Sequence, residues 1–436
     1  MAKRVLVIAY YFPPSGGSGV QRALKFVKYL PSFGWMPEVL TLDPASAAYP
    51  DLDPDMLREV PDGVNVHRTG AWDPYRIYAG FTNKSKADAV SVGFLSDKPI
   101  SYRERIARWV RANVFIPDAR VGWYFYALKK ARTLVASGEI DAIFTTGPPH
   151  STHLIGRSLK RRYNVPWIAD FRDPWVDIDF LEELPMTGFA RRKNARLEKS
   201  VLDESDAVLT VSPVIERQFV KKTNTPCVTI YNGFDRDDFS SDASLDPDTF
   251  YISHVGNMNA ARNPVALWQA LAQVKEQVPK LKIRLVGNVD GAVMQALEAA
   301  GLLDLVERIA YCPHGEAVRY MKQSAALLLP INRVFSAKGI VTGKLFEYLA
   351  TGNPVLGIGP PDGDAAAILQ DTGAGKMIDF DNGDAMLAYV RSLYTQWDAG
   401  KQHPHGDTSA IARYSRSGLT GQLAAMLDDI VGEKRT

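Results

Sequence analysis

The chain has 436 residues, 46% of them hydrophobic and 23% charged, with a formal net charge of +2. That length calls for two or three domains, the composition is that of a soluble globular protein, and the near-neutral balance makes no global demand for nucleic acid. Two cysteines, Cys227 and Cys312, give no disulfide framework and fit a reducing cytosol. No stretch approaches the roughly 18–20 apolar residues of a membrane span. In MAKRVLVIAYYF the pair Pro13-Pro14 cuts the apolar run short, so it reads as a strand rather than a signal peptide.

In chain order, RVLVIAY (4–10) reads as a buried strand, followed by a helix near 18–33 and a strand at 36–42. DAIFTT (141–146) precedes the helical HSTHLIGRSLKRRY, and strands follow at 165–171, 207–212 and 226–234. A second series holds strands at 250–256, 282–288, 309–313, 325–331 and 354–359. Helices at 263–277, 290–300, 314–323 and 342–351 alternate with them. Apolar strands alternating with helices imply parallel sheets covered on both faces. Two such series imply two Rossmann-like domains, parted by the polar DRDDFSSDASLDPD (235–248). There is no internal repeat and no low-complexity tract.

Residues 70–126 break this rhythm. Arg103, Arg105, Arg108 and Arg111 stand among Ile106, Trp109, Val110 and Phe115, inside a stretch (101–199) with 18 Lys+Arg against 11 Asp+Glu. Two readings stay open: an amphipathic helix packed on the sheet, or a cationic, aromatic surface facing anionic lipid head groups or a lipid-linked acceptor.

Four stretches carry chemistry. YYFPPSGGSGVQRALKFVKYL (10–30) puts Gly16 and Gly17 at the mouth of a helix, where backbone N–H groups can approach an anion. The strict dinucleotide fingerprint G-x-G-x-x-G is absent. HVGNMNAARNPVALWQAL (254–271) sets Arg262 just before a helix, adding charge to the helix dipole. In SAKGIVTGKLFEYLATGNPV (336–355), Thr342 is a candidate N-cap. Gly343 and Lys344 would open the helix, and Glu347, one turn in, suits vicinal hydroxyls such as a ribose. The segment TTGPPHSTHLIGRSLKRRYNVPWIADFRDPW (145–175) ends two strands with His150, then Asp170, Arg172 and Asp173. Ion pairing is the structural alternative for the last three. His150 follows two prolines in a loop, a poor place for a core histidine. No His/Cys/Asp/Glu spacing suits a metal.

Together, YYFPPSGGSGVQR, GPPHSTHLIG, WIADFRDPW, IYNGFD and GKLFEYLATGNPV resemble the retaining glycosyltransferases of the GT-B fold, nucleotide-sugar-dependent family 4. The resemblance covers nearly the whole chain. It implies an α/β fold of two Rossmann-like domains facing across a cleft. The acceptor domain would span 1–235, the donor domain 249–415, and a helix in 416–436 would cross back to the first. It implies transfer of a sugar from a nucleotide-diphosphate sugar, UDP before GDP, with retention and without metal or cofactor. The acceptor would be a glycan or lipid-linked molecule of cell-surface polysaccharide or glycolipid synthesis. The setting would be the cytoplasm, peripheral to the inner face of the membrane through 101–126.

Residue by residue, Glu347 matches the second acid of the family's E-x7-E pair, while Gly339 stands where the first would be. Arg262 matches the phosphate-binding Lys, with Asn257 in place of the family's Arg, and Gly16 and Gly17 match the glycine loop. His150 lies where the family places a histidine near the transferred sugar, and Asp170, Arg172 and Asp173 complete the candidate catalytic set. A nucleotide-sugar 2-epimerase of the same fold and a non-catalytic nucleotide-sugar-binding partner are the alternatives, the latter motivated by Gly339 and Asn257.

Overall fold

The computed structural model describes residues 3–46, 52–72, 102–178, 184–240, 242–400 and 405–433. It divides into two compact units, Met1–Tyr231 with Leu419–Thr436, and Asn232–Gly418.

The first unit holds strands β1 (Lys3–Ala9), β2 (Trp35–Leu42), β3 (Asn65–Thr69), β4 (Ala142–Gly147), β5 (Trp167–Phe171), β6 (Ala207–Thr210) and β7 (Cys227–Thr229). All pair in parallel, in the order β3-β2-β1-β4-β5-β6-β7. Its helices are α1 (Ser18–Tyr29), α2 (Tyr102–Asn113), α3 (Tyr124–Ala136), α4 (Ser151–Tyr163), α5 (Gly188–Glu204) and α6 (Pro213–Val220). The β-branched run of β1 is buried from Val5 onward, as a strand with helices on both faces must be. Leu6 and Ile8 join one core with Leu154, Trp167 and Phe171. Val5 and Val7 join another with Val20, Leu24 and Val27 of α1.

The second unit holds β8 (Phe250–Val255), β9 (Leu281–Val286), β10 (Val306–Ile309), β11 (Ala326–Pro330), β12 (Val355–Ile358) and β13 (Gly375–Ile378). They are again parallel, in the order β10-β9-β8-β11-β12-β13, over a single core containing Ile252, Trp268, Leu285 and Leu328. Its helices are α7 (Val265–Ala272), α8 (Gly291–Ala299), α9 (His314–Gln323), α10 (Gly343–Thr351), α11 (Asp364–Thr372), α12 (Gly383–Asp398) and α13 (Thr408–Ala412). The last helix, α14 (Arg416–Gly432), begins in this unit, and from Leu419 on it belongs to the first. There Leu419, Leu423, Leu427 and Val431 enter the core of β1 and α1. Asp428 accepts from Lys3 Nζ at 2.6 Å and from Trp35 Nε1 at 3.1 Å.

Three expected boundaries move. The strand expected at 309–313 runs instead over Val306–Ile309, where it registers with Ile283–Val286, and Pro313 becomes the N-cap of α9. The strand expected at 226–234 is confined to the edge pairing Cys227–Thr229. The helix expected at 263–277 stops at Ala272. Strands β3 and β13 and helices α3, α5, α6, α11, α12 and α13 add to the expected set.

In each sheet the strand order reverses once, between β1 and β4 and between β8 and β11. In open α/β sheets ligands gather beyond the carboxyl ends of strands at such a switch point.

Candidate functional site

At the first unit's switch point, Gly17 is the N-cap of α1 with φ 84°, a backbone state that a side chain would strain, and Gly16 beside it is buried. No side-chain cap hydrogen bond is made at this N-cap among the described residues. Among the described residues the first N–H groups of α1 therefore have no capping side chain, as an anion site requires.

Asp170, at the end of β5, is fully buried. It receives Arg22 Nη2 at 2.7 Å, Arg22 Nε at 3.0 Å and the Thr146 hydroxyl at 2.6 Å. Arg22 also donates to the Tyr231 carbonyl at 2.9 Å. This pair ties β5 to α1 and leaves the carboxylate engaged on both oxygens. Arg172 donates to the carbonyls of Gly147 (3.0 Å), Pro148 (2.7 Å) and Gly19. It thus joins the loop after β4 to the first turn of α1. Burial lowers its pKa, opposed by Asp170 and Asp173, and burial raises that of Asp173, opposed by Arg172.

His150 is the N-cap residue of α4. Its ring stacks on Trp175 (centroids 5.0 Å, planes 5° apart), with Phe171 at 5.8 Å and His153 at 6.0 Å. Burial, then His153 and Arg172, hold its pKa well below the usual histidine value.

At the second unit's switch point, α10 starts after β11 and its second residue reaches back to β8. Lys344 lies against Gly256, where a Cβ would collide with its Cε and Nζ. Gly256 also has φ +112°. Tyr348 Oη accepts the Val255 N–H at 3.0 Å, tying α10 to β8 a second time. Arg262 closes a short 3-10 turn (Ala260–Arg262), donating to Asn332 Oδ1 and to the Asn257 carbonyl at 3.2 Å. Burial lowers its pKa. Burial, then Arg262, pull Lys344 down to about 8, with Glu347 opposing. Neither cation forms an ion pair among the described residues. Lys338, by contrast, is paired with Asp362 at 2.6 Å.

Thr342 is the N-cap residue of α10, as expected, but its side chain makes no cap hydrogen bond among the described residues. Its Oγ1 is buried without a partner among the described residues. Gly343 is exposed as the first helical residue. Glu347 is half-buried; burial raises its pKa, opposed by His314, Lys344 and Arg416 and aided by Asp238. Gly339, where the resemblance places an acid, is buried in a 3-10 turn (Ala337–Gly339). His254, which sequence reading passed over, is buried between the Leu328 carbonyl (3.0 Å) and the Asn257 carbonyl (3.4 Å) and held neutral, near 3.

The segment 70–126 resolves in two directions, and its residues 73–101 lie outside the described residues. Trp123 is buried, donating to Thr69 Oγ1 at 2.8 Å, so it belongs to the core. On α2, Tyr102 (76% exposed), Ile106 (47%) and Trp109 (47%) share one face at i, i+4, i+7. Arg105 is exposed beside them, and Phe125 and Tyr126 are exposed at the start of α3. No helix is long and apolar enough to cross a membrane among the described residues.

Comparison with known proteins agrees with this arrangement. Residues 16–233 match the glycosyl transferase 4-like domain and residues 235–404 match the glycosyl transferases group 1. No curated protein matches. Among solved structures, a sucrose-phosphate synthase from Thermosynechococcus elongatus is 15% identical with a TM-score of 0.63, covering 99% of this chain and 100% of that one. HepE of Anabaena, in complex with UDP, is 13% identical with a TM-score of 0.60, covering 98% and 100%. A glycosyltransferase from Rickettsia africae is 11% identical with a TM-score of 0.59, covering 98% of each chain. These likenesses carry the fold, the two parallel α/β sheets of the GT-B class, and the family matches carry the rest: the chain belongs to the group 1 glycosyltransferases.

Proposed function

We propose that this chain moves a sugar from a nucleoside diphosphate donor, UDP in preference to GDP, to a glycan or lipid-linked acceptor, with retention at the anomeric carbon and without metal. The acceptor belongs to cell-surface polysaccharide or glycolipid synthesis. The observation that supports this most is the pair Arg262 and Lys344, neither ion-paired among the described residues, beside the start of α10. Two cations and free helix N–H groups suit a diphosphate that gains charge as it leaves. Glu347, one turn further, accepts two ribose hydroxyls. The structural relative in complex with UDP supports uridine as the nucleoside.

In the step itself, the acceptor hydroxyl attacks the anomeric carbon on the face from which the diphosphate departs. The bond from that carbon to the phosphate oxygen breaks, the glycosidic bond forms, and the hydroxyl proton passes to the departing oxygen. A thermal-shift panel of nucleotide sugars tests the donor, because a ligand of the folded state alone raises stability with concentration. UDP-sugars should raise Tm more than GDP-sugars, and no response to any nucleotide sugar refutes the reading. Conversion of donor without acceptor would indicate a 2-epimerase instead.

The exposed face of α2 with Arg105 fits an anionic bilayer, where each Lys/Arg near the surface adds about 1 kcal/mol and aromatics settle at the interface. Binding to vesicles should need anionic lipid, fall with salt and vanish in Arg105/Arg108/Arg111→Ala. Equal recovery in the supernatant with and without anionic vesicles removes this docking.

A further inference from the structure

Of the two ring nitrogens of His150, Nδ1 is the one that is buried and without a hydrogen-bond partner among the described residues. That leaves Nε2 as the nitrogen able to reach a ligand. A buried N–H lacking an acceptor is rarer in native proteins than an under-used acceptor, so the ring proton belongs on Nε2. The ring's plane is set by Trp175, which is 2% exposed and lies parallel to it at 5.0 Å. Trp175 is itself fixed: its Nε1 donates to Asn194 Oδ1 at 3.0 Å, and Asn194 Nδ2 donates to the Ala190 carbonyl at 3.1 Å, both on α5. The titratable and charged groups acting on His150 are His153 of its own helix and Arg172 after β5, and both disfavour an imidazolium.

We infer that Trp175 is a positioning residue that holds His150 as a neutral Nε2–H donor, aimed at a hydroxyl or ring oxygen of a sugar. This rests on the proposed glycosyl transfer for its ligand, though not for its tautomer. His150 then takes no proton from the acceptor hydroxyl. It contributes a hydrogen bond at constant charge, and the proton must leave by the phosphate oxygen.

Long-range 15N–1H correlation of the histidine rings reads the tautomer with no substrate present, and loss of one ring's signals in His150→Gln assigns it. The wild-type ring should show Nε2–H and no titration between about pH 5.5 and 8. In Trp175→Leu it should exchange between tautomers and titrate. Trp175→Phe, which keeps a ring to stack on, should keep the wild-type pattern. With an active donor pair, Trp175→Leu should lower kcat/KM roughly tenfold to a hundredfold and add a histidine-like acid limb to the pH profile. An Nδ1–H tautomer in the wild type, wild-type titration in that range, or an unchanged ring in Trp175→Leu overturns the inference. Absence of any transfer activity bears on the proposed function alone, since the spectrum is read without it.

Discussion

Replacing Lys344 by Met should stabilise the ligand-free protein while weakening its hold on the donor. The ammonium is pulled from its ordinary 10.5 to about 8, first by burial and then by Arg262. A displacement of that size corresponds to about 3 kcal/mol against the charged form in the folded state. Part of the side chain meets solvent, so screening reduces the recoverable gain to about 1–2 kcal/mol. Because the folded value lies below the unfolded one, the penalty is complete below about pH 8 and is relieved as pH climbs toward 10.5. The Met variant should therefore lead most at pH 7, with a Tm higher by a few degrees, and the lead should shrink toward alkaline pH. A bound diphosphate reverses the balance and holds the ammonium charged. At about pH 8.5 the wild type should then take up most of one proton on binding a nucleotide sugar. Calorimetry in buffers of different ionisation enthalpy measures that uptake, which should be near zero at pH 6.5 and absent in the variant. A Met variant less stable than wild type at pH 7, or equal proton uptake in both proteins, would refute the reasoning.

Glu347→Ala should weaken nucleotide-sugar binding by roughly 1–3 kcal/mol with little loss of Tm, since burial already disfavours its charge; calorimetry with unchanged affinity removes it from a ribose site. Arg262→Ala should chiefly lower kcat, and Arg262→Lys should keep part of it, because the charge is most needed as the diphosphate departs; a wild-type rate would place the neutralisation elsewhere. Asp170→Asn should cost roughly 3–5 kcal/mol by leaving Arg22 buried without its counter-charge. Asp170→Leu with Arg22→Met should recover much of that, and a thermal melt showing no loss in the single variant refutes a structural role for the pair.

The alternation of apolar strands and helices made both sheets legible, because parallel strands buried on both faces leave long runs such as VLVIA and ALLLP. The first glycine turn was legible for a related reason: Gly17 stands where the backbone admits no side chain without strain. What escaped were pairings set across the fold. Nothing in the local pattern of α1 marks Arg22 as the partner of Asp170, 148 positions away. Thr342 carried the right residue type for a cap, but a local preference does not aim a hydroxyl, and here it misses the helix N–H groups. His254, inside the apolar run of β8, gave no signal of its own. Its neighbours Lys344 and Arg262 come from α10 and from the 3-10 turn before α7, far apart in sequence.

Because α14 fills the core around β1 and α1, strand β1 must wait for a helix that is made only after the whole second unit. At about 5–20 residues per second on the ribosome, that wait is on the order of 20–90 s. The intervening unit emerges whole in the meantime and can reach its native state first. A nascent chain stalled before Leu419 should thus carry a protease-resistant second half behind a first half whose sheet still lacks a wall.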